Sequence, residues 1–505
     1  MTGSLPSPAV ETAAVRWKNG HPVSSPEDAE HGFLQYNDLA ERFARVANGE
    51  HFVVAETGFG AGLNFLTAWR LWRNVNPNPH ACLHFISVEP YPFSLEDLTR
   101  ALAHWPDLAP LTAALIENYP PAVTGTHRLV LDGGRVRLTI CFGDVNHAWR
   151  HLEFSADAWF LKGSTSALNP QVLDQKTLAT ISAHSGSGTS FVAATGSEEV
   201  RQLLSEAGFS VSQASDSPGG RDLLSGRIAA PEPSLESPPT TPERIGVIGA
   251  GIAGCLLANN LRGRGFDVSL VDQASSVAAE ASGNRQGALY VKLGVDYNDQ
   301  TELALSSLLF SQRFYKRFEN NGWHPTGLIQ LAYSESERDR QTRFLSKNLY
   351  PTSVFKPLTA EQATEIAGIS IPHGGLWFPK SGWLEPATIC RGLADQTGIA
   401  HCLGFSVASI KEEGRQWTLT SSTGDTLSFD RIVLCSGPAT PELIPLNGQY
   451  RMKSIRGQIT EVPEQSIKSP SVVVCGPGYI NPAFDGSALV GATFDLHDAC
   501  AETTT

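Results

Sequence analysis

The segment Arg244-Ile-Gly-Val-Ile-Gly-Ala-Gly-Ile-Ala-Gly-Cys-Leu-Leu-Ala, running on to Phe266-Asp-Val-Ser-Leu-Val-Asp272, commits the middle of this chain to a strand, a glycine turn, a helix and a second strand. Ile245, Val247 and Ile248 make a short buried strand. Gly249, Gly251 and Gly254 then allow a tight turn, close approach of a diphosphate to the backbone, and close packing of helix on strand. The helix turns its free N–H groups and positive dipole end toward that diphosphate. Leu257 and Leu261 lie four apart on its inner face, and Gly263 or Gly265 ends it. Phe266, Val268 and Leu270 alternate as the second strand, whose end carries Asp272, a carboxylate suited to accept from a ribose hydroxyl. A glycine triplet alone is weak evidence and occurs in ordinary turns. Strand, helix, strand and terminal acid in register make a dinucleotide site, and a site that opens a domain leaves the first half of the chain to be explained separately.

A chain of 505 residues, 41% hydrophobic and 18% charged, is expected to fold as two or three globular domains. Prolines at 231, 233, 238, 239 and 242 mark residues 227–243 as an extended spacer between domains at 1–226 and 244–505. The first 18 residues carry only Arg16 and Lys18 as cations and no apolar run, so no secretory signal is expected. The longest apolar stretches, such as Ile432 to Cys435 and Val472 to Cys475, are strand-length, which argues against a membrane span. Eight cysteines without a C-x-x-C pair or metal spacing suit reduced thiols in the cytoplasm and no bound metal. With a net charge of −13 neither half is a basic nucleic-acid module, and bulk electrostatics argue mildly against RNA binding. Arg128, Arg135 and Arg137, or Arg451, Lys453 and Arg456, are candidates for a local RNA patch, with a solvated strand face as the simpler reading.

Upstream, Phe52-Val-Val-Ala-Glu-Thr-Gly-Phe-Gly-Ala-Gly-Leu-Asn-Phe-Leu is again strand, glycine loop and helix, with a different loop. The pattern Glu56-x-Gly58-x-Gly60-x-Gly62-x-Asn64 resembles motif I of class I S-adenosylmethionine-dependent methyltransferases, in which glycine backbone approaches the methionine moiety and sugar of the donor. Leu83 to Glu89 reads as the second strand with an acid for the ribose hydroxyls, and Leu138 to Asp144 as the next, with an acid placed to meet adenine. Ala156 to Leu161 follows as the strand leading to the catalytic loop. Strand-ending acids repeated in this way fit a doubly wound α/β sheet; glycine turns without a ligand are the alternative.

A methyltransferase-type domain followed by a flavin-type Rossmann domain resembles the bacterial bifunctional 5-methylaminomethyl-2-thiouridine biosynthesis family, which modifies the wobble uridine in the anticodon of certain tRNAs. The matching segments include Pro22-Val-Ser, Glu56 to Leu66, His84 to Glu89, His104-Trp-Pro-Asp-Leu-Ala-Pro, Phe142-Gly-Asp, Ala158-Trp-Phe-Leu, Ala281-Ser-Gly-Asn-Arg-Gln-Gly-Ala-Leu-Tyr, Gly382-Trp-Leu and Gly457-Gln. The resemblance implies an FAD-dependent removal of carboxymethyl from 5-carboxymethylaminomethyl-uridine, then methylation of the exposed amine from S-adenosylmethionine. It also implies an α+β substrate domain beside the FAD-binding Rossmann fold. Ala258, four residues after Gly254, is a small residue typical of flavoprotein helices. Ser282, Asn284, Arg285 and Gly437 look like further FAD contacts, with turn and cap chemistry as their plainer reading. Arg285, Lys292 and Arg456 are unranked candidates for the cation that meets the substrate carboxylate.

Three departures from the family pattern bear on activity. The family's Leu-Asp-Gly-Phe loop stands here as Leu161-Lys162-Gly163-Ser164, so an ammonium replaces the acid that would orient the amine and take its proton, while Asn169-Pro170 keeps the alignment in place. The stretch from Ser24 to Glu30 is shorter than the family's aromatic-rich segment. The family pattern continues past Leu489 to Asp495 by on the order of 150 residues, one typical domain, so the C-terminal domain is expected to be truncated. Two rival readings stay open: a flavin oxidase of small free amines, and a degenerate binding protein that keeps both folds.

Overall fold

A computed structural model of the chain describes residues 17–18, 21–22, 25–162, 173–214, 222–229, 242–347, 350–445, 450 and 452–495. The chain divides into two compact units, Met1–Thr240 and Thr241–Thr505.

Unit 1 is built on eight strands: β1 (His51–Glu56), β2 (Cys82–Glu89), β3 (Gly125–Leu131), β4 (Val136–Phe142), β5 (Ala156–Leu161), β6 (Ser185–Ala193), β7 (Phe209–Ala214) and β8 (Leu223–Ile228). Their order in the sheet is β3-β4-β2-β1-β5-β6-β8-β7. The central run from β4 to β6 is parallel, with β3 and the β7–β8 pair antiparallel at the two edges. Strands buried on both faces need apolar residues of both parities, and the sequence supplies them. Val54, Phe85, Leu138 and Phe160 pack on one side against Phe65, Leu66, Trp69 and Trp72 of helix α1 (Leu63–Val75). Ala55, Val88, Trp159 and Leu161 pack on the other against Trp149, Leu178 and Ile181. The chain leaves β1 toward β2 on one side and β5 lies on the other, so the order reverses at β1 and opens a crevice beyond the carboxyl ends of β1 and β5. Arg227 and Ile228, placed in the spacer by sequence, are the last residues of β8; residues 230–241 lie outside the described residues. The short segment before Glu30 starts a helix at Pro26 that Ser25 and Asp28 close with reciprocal side-chain caps.

Unit 2 opens with a four-stranded parallel sheet made of β9 (Arg244–Ile248), β10 (Asp267–Asp272), β11 (Ile399–Leu403) and β12 (Arg431–Leu434), in the order β11-β10-β9-β12. Helix α2 (Ile252–Gly263) connects β9 to β10, and Gly265 takes φ +90° just past its end. The most buried face of α2 is Gly254, Cys255 and Ala258, while Leu257 and Leu261, expected to point inward, are only half-buried. The glycine needed at the turn sets that rotation, because Gly254 must face the strand. The α+β part holds a seven-stranded mixed sheet, from Lys356–Leu358 at one edge to Thr460–Pro463 at the other, and a three-stranded sheet of Gly287–Leu289, Gly382–Leu384 and Trp323–His324.

Within unit 2, Glu337 is 6% exposed and anchors residues 292–293 to the helix Glu335–Lys347. Arg340 bridges both its oxygens at 3.0 Å and donates to Leu293 O at 2.9 Å, and Lys292 Nζ lies 3.0 Å from Oε2. Burial alone would raise this carboxyl, but hydrogen bonds from Arg340, Lys292 and Gln341 outweigh it and hold the pKa at about 2 against a usual 4.5. A depressed carboxyl contributes stability that is full above its unfolded pKa and is lost as pH falls through the folded one. Glu337→Gln should therefore melt earlier than the parent at pH 7, by roughly 3 kcal/mol. Thermal melts should show the gap closing between pH 4.5 and about 2; a gap independent of pH would contradict the assignment.

Candidate active sites

In unit 1 the glycine loop joins β1 to α1 at the crevice. Phe59 N donates to Val88 O at 3.2 Å and Thr57 N to Phe160 O at 3.2 Å, which pins the loop between β2 and β5. Glu89, at the end of β2, accepts from Gly60 N at 2.7 Å and from Tyr91 N at 2.9 Å. Burial raises the pKa of Glu89; the Gly60 and Tyr91 N–H groups and the Lys162 ammonium work against that rise. Gly60 takes φ +56°, and a Cβ there would meet nothing within 4 Å, so the loop is open on that side. Gly62, at φ +78°, fits instead against the Phe59 ring, which would lie 2.7 Å from a Cβ at this position, and shapes the turn into α1. Asp144 follows β4 as an exposed residue whose carbonyl accepts from Ala148 N at 2.9 Å.

Glu56 and Asn64, expected from sequence as cofactor contacts, lie beneath the loop. Glu56 is fully buried and accepts from Asn64 Nδ2 at 2.8 Å and from Ser87 Oγ at 2.9 Å. Its third partner is Lys162, whose Nζ lies 2.8 Å from Glu56 Oε1 and donates to Gly58 O at 2.6 Å. Burial pushes the Glu56 carboxyl up, opposed by Lys162 first and then by Ser87 and Asn64. Lys162 thus folds back onto the loop. Residues 163–172, including Asn169-Pro170, lie outside the described residues.

In unit 2 the glycine fingerprint is packed on both sides. Gly249 takes φ +109°, and a Cβ there would fall 2.4 Å from Cys435 O; a Cβ on Gly254 would fall 1.8 Å from Gly249 O. At Gly251 a Cβ would meet only Ser282, with Oγ at 3.2 Å, and at Gly437, φ +53°, nothing within 4 Å. Asp272 accepts from Ala250 N at 2.6 Å and from Ala274 N at 2.8 Å, and Ser282 Oγ accepts from Ile252 N at 2.9 Å in the first turn of α2. The structure so gathers Gly249, Gly251, Gly254, Asp272, Ser282 and the 435–437 turn around one helix N-terminus. The Arg285 guanidinium pairs with Glu461 at 3.0 Å and Asp485 at 3.1 Å, and Asn284 beside it is exposed. The other two candidate cations for a substrate carboxylate are engaged as well, Lys292 by Glu337 and Arg456 by Gln458 at 2.7 Å. Of the suggested RNA patches, Arg135 donates to Asn76 O at 2.9 Å, and Arg451 lies outside the described residues.

Sequence reasoning missed a second set of polar groups. Gln286 donates to Pro482 O at 3.0 Å, leaving its buried Oε1 without a partner, and neighbouring Asn481, fully buried, leaves both side-chain amide atoms unpaired. Trp383, paired across strands with Ala288, has an unpartnered buried indole N–H and stacks on His324 at 3.7 Å, whose Nε2 lies 2.9 Å from Glu385 Oε1. Orphaned buried donors and acceptors are costly, so these groups stand out beside the glycine fingerprint. Gln286 stands within the Ala281–Tyr290 segment and could have been singled out; Asn481 lies in no recognisable motif. No group of three or more His, Cys, Asp or Glu among the described residues could hold a metal ion, and none of the described helices is long and apolar enough to cross a membrane.

Comparison with known proteins matches residues 244–504 to the FAD dependent oxidoreductase family and residues 106–229 to an S-adenosyl-L-methionine-dependent methyltransferase family. The tRNA 5-methylaminomethyl-2-thiouridine biosynthesis bifunctional protein MnmC of Marinobacter nauticus is 47% identical over 520 residues, covering 100% of this chain and 82% of that protein. Its counterpart from Chromobacterium violaceum is 37% identical over 507 residues, covering 95% of this chain and 76% of that protein. Among solved structures, glycine oxidase from Bacillus cereus aligns over 51% of this chain and 72% of its own, at 22% identity and a TM-score of 0.42. With a relative this similar along the whole of this chain and both component families matched, the chain belongs to the bifunctional tRNA 5-methylaminomethyl-2-thiouridine biosynthesis family.

Proposed function

We propose that this protein modifies the wobble uridine of tRNA in two steps, oxidative removal of the carboxymethyl group from 5-carboxymethylaminomethyl-(2-thio)uridine in unit 2 and methylation of the resulting 5-aminomethyl amine in unit 1. The observation that carries this reading is one chain holding both matched families in the order of its 47% identical relative. In unit 2, Gly249, Gly251, Gly254, Asp272 and Ser282 would hold FAD, which when bound supplies the hydride acceptor. The protein's part is to present the secondary amine neutral, with its carboxymethyl carbon facing that acceptor. Water then cleaves the oxidised C–N bond, leaving the aminomethyl group on the tRNA and the two-carbon fragment as an aldehyde acid. In unit 1, Gly58, Gly60, Glu89 and Asp144 would line the donor crevice, with Glu56, Gly62 and Asn64 supporting the loop. The cytoplasm, where tRNA is modified, is the proposed location.

Lys162 favours a second reading for unit 1 alone, a methyltransferase fold with little transfer. The oxidase half is tested by colour. Protein incubated with FAD and desalted should absorb near ~450 nm, as flavins do; a colourless product would overturn the flavin site.

A further inference from the structure

Two acceptors meet at the mouth of the unit 1 glycine loop, the buried carboxylate of Glu56 and the carbonyl of Gly58. One ammonium takes both: Lys162 Nζ lies 2.8 Å from Glu56 Oε1 and 2.6 Å from Gly58 O. The lysine is fixed at its root as well, since its backbone N donates to Thr57 Oγ1 at 2.8 Å, and its stem lies over Gly58, with Cδ 3.7 Å from where a Cβ would sit. A carboxylate at 0% exposure needs a cation, and the side chain that supplies it remains 32% exposed, at the crevice. An S-adenosyl amino acid brings its own cation to such a loop, the α-ammonium of its amino-acid end. The two acceptors already filled are the ones that such an ammonium would seek, while on the sugar side a Cβ on Gly60 would meet nothing within 4 Å and Glu89 is held only by the Gly60 and Tyr91 backbone N–H groups.

We propose that the Lys162 ammonium occupies the subsite for the α-ammonium of an S-adenosyl amino acid, so that the crevice prefers a 5′-thioadenosine ligand that lacks this group. The inference rests on the reading of unit 1 as an S-adenosyl site. Lys162 is then a specificity-determining residue: it keeps Glu56 neutralised without ligand and makes the amino-acid end of the donor compete with the protein's own side chain.

The test is calorimetry on the full chain with S-adenosylhomocysteine and 5′-methylthioadenosine, two neutral thioethers that differ in the amino-acid end. The parent should bind 5′-methylthioadenosine more tightly by about tenfold or more, the scale of one charge-assisted hydrogen bond. Lys162→Met should reverse the order, because the ligand ammonium then supplies the missing cation to Glu56. If Lys162→Met fails to fold, the double variant Lys162→Met with Glu56→Gln removes both charges, and its preference for 5′-methylthioadenosine should disappear. A parent that binds S-adenosylhomocysteine at least as tightly overturns the proposal and leaves the S-adenosyl site standing. An unchanged preference in the folded variants overturns the role of Lys162. Binding of neither ligand to any of the proteins overturns the S-adenosyl site itself and the proposal with it.

Discussion

Gly251→Val is expected to give a protein that folds and cannot be made yellow. At Gly251 the backbone is extended, φ −76° and ψ −174°, which valine adopts readily, and a Cβ would touch only the Ser282 hydroxyl at 3.2 Å. The added side chain therefore sits against Ser282 at the start of α2, where a diphosphate would meet the helix N-terminus. Gly249→Val is the contrast. There φ is +109° and the Cβ would fall 2.4 Å from Cys435 O, so strain and overpacking should cost about 3 kcal/mol or more before any ligand is considered. Since bound flavin itself stabilises the folded state, both variants are compared with flavin-free parent. Melting near the parent with no ~450 nm band for Gly251→Val, and early melting for Gly249→Val, is the expected pair of results. A yellow Gly251→Val would place the diphosphate elsewhere.

Lys162→Asp is expected to raise methyl transfer to tRNA carrying the 5-aminomethyl intermediate while making unit 1 less stable. A positioned base typically contributes ~100- to 10,000-fold, and the parent chain has an ammonium at that position. The structure adds a cost to the substitution. Glu56 is fully buried, so exchanging its cation for a second carboxylate should destabilise unit 1 by about 3–5 kcal/mol. Adding Glu56→Gln should recover much of that loss, which thermal melts of the single and double variants would show. Robust transfer by the parent, abolished in Lys162→Ala, would make the lysine itself the base and refute this account of the loop.

The two glycine loops are legible in the sequence because each is dictated locally: a buried strand, glycines where backbone must turn or pack, and an apolar helix face. The ends of β2 and β10 fall at Glu89 and Asp272 for the same reason, since an acid interrupts each apolar run. What those carboxylates grip is not legible. Glu89 holds Gly60 N and Asp272 holds Ala250 N, contacts 29 and 22 residues away in the chain that depend on how the strands are ordered. The rotation of α2 departs from the apolar pattern because Leu257 and Leu261 are larger and more apolar than the Gly254, Cys255 and Ala258 face that close packing on the strand demands. In sequence Lys162 is only a cation beside the donor; its pairing with Glu56 across two parallel strands needs the structure. The orphaned amides of Gln286 and Asn481 belong to the same class of information, since burial without a partner has no signature in a polar residue's neighbours.

The most direct test of the two-step reading is a time course on tRNA bearing 5-carboxymethylaminomethyl-2-thiouridine, incubated with FAD-loaded protein and S-adenosylmethionine, with the wobble nucleoside identified by mass spectrometry. The carboxymethyl nucleoside should be consumed and the 5-aminomethyl nucleoside should accumulate, with methylation slow behind it and accelerated in Lys162→Asp. A wobble nucleoside that stays unchanged while the same protein oxidises free glycine or sarcosine would contradict that reading.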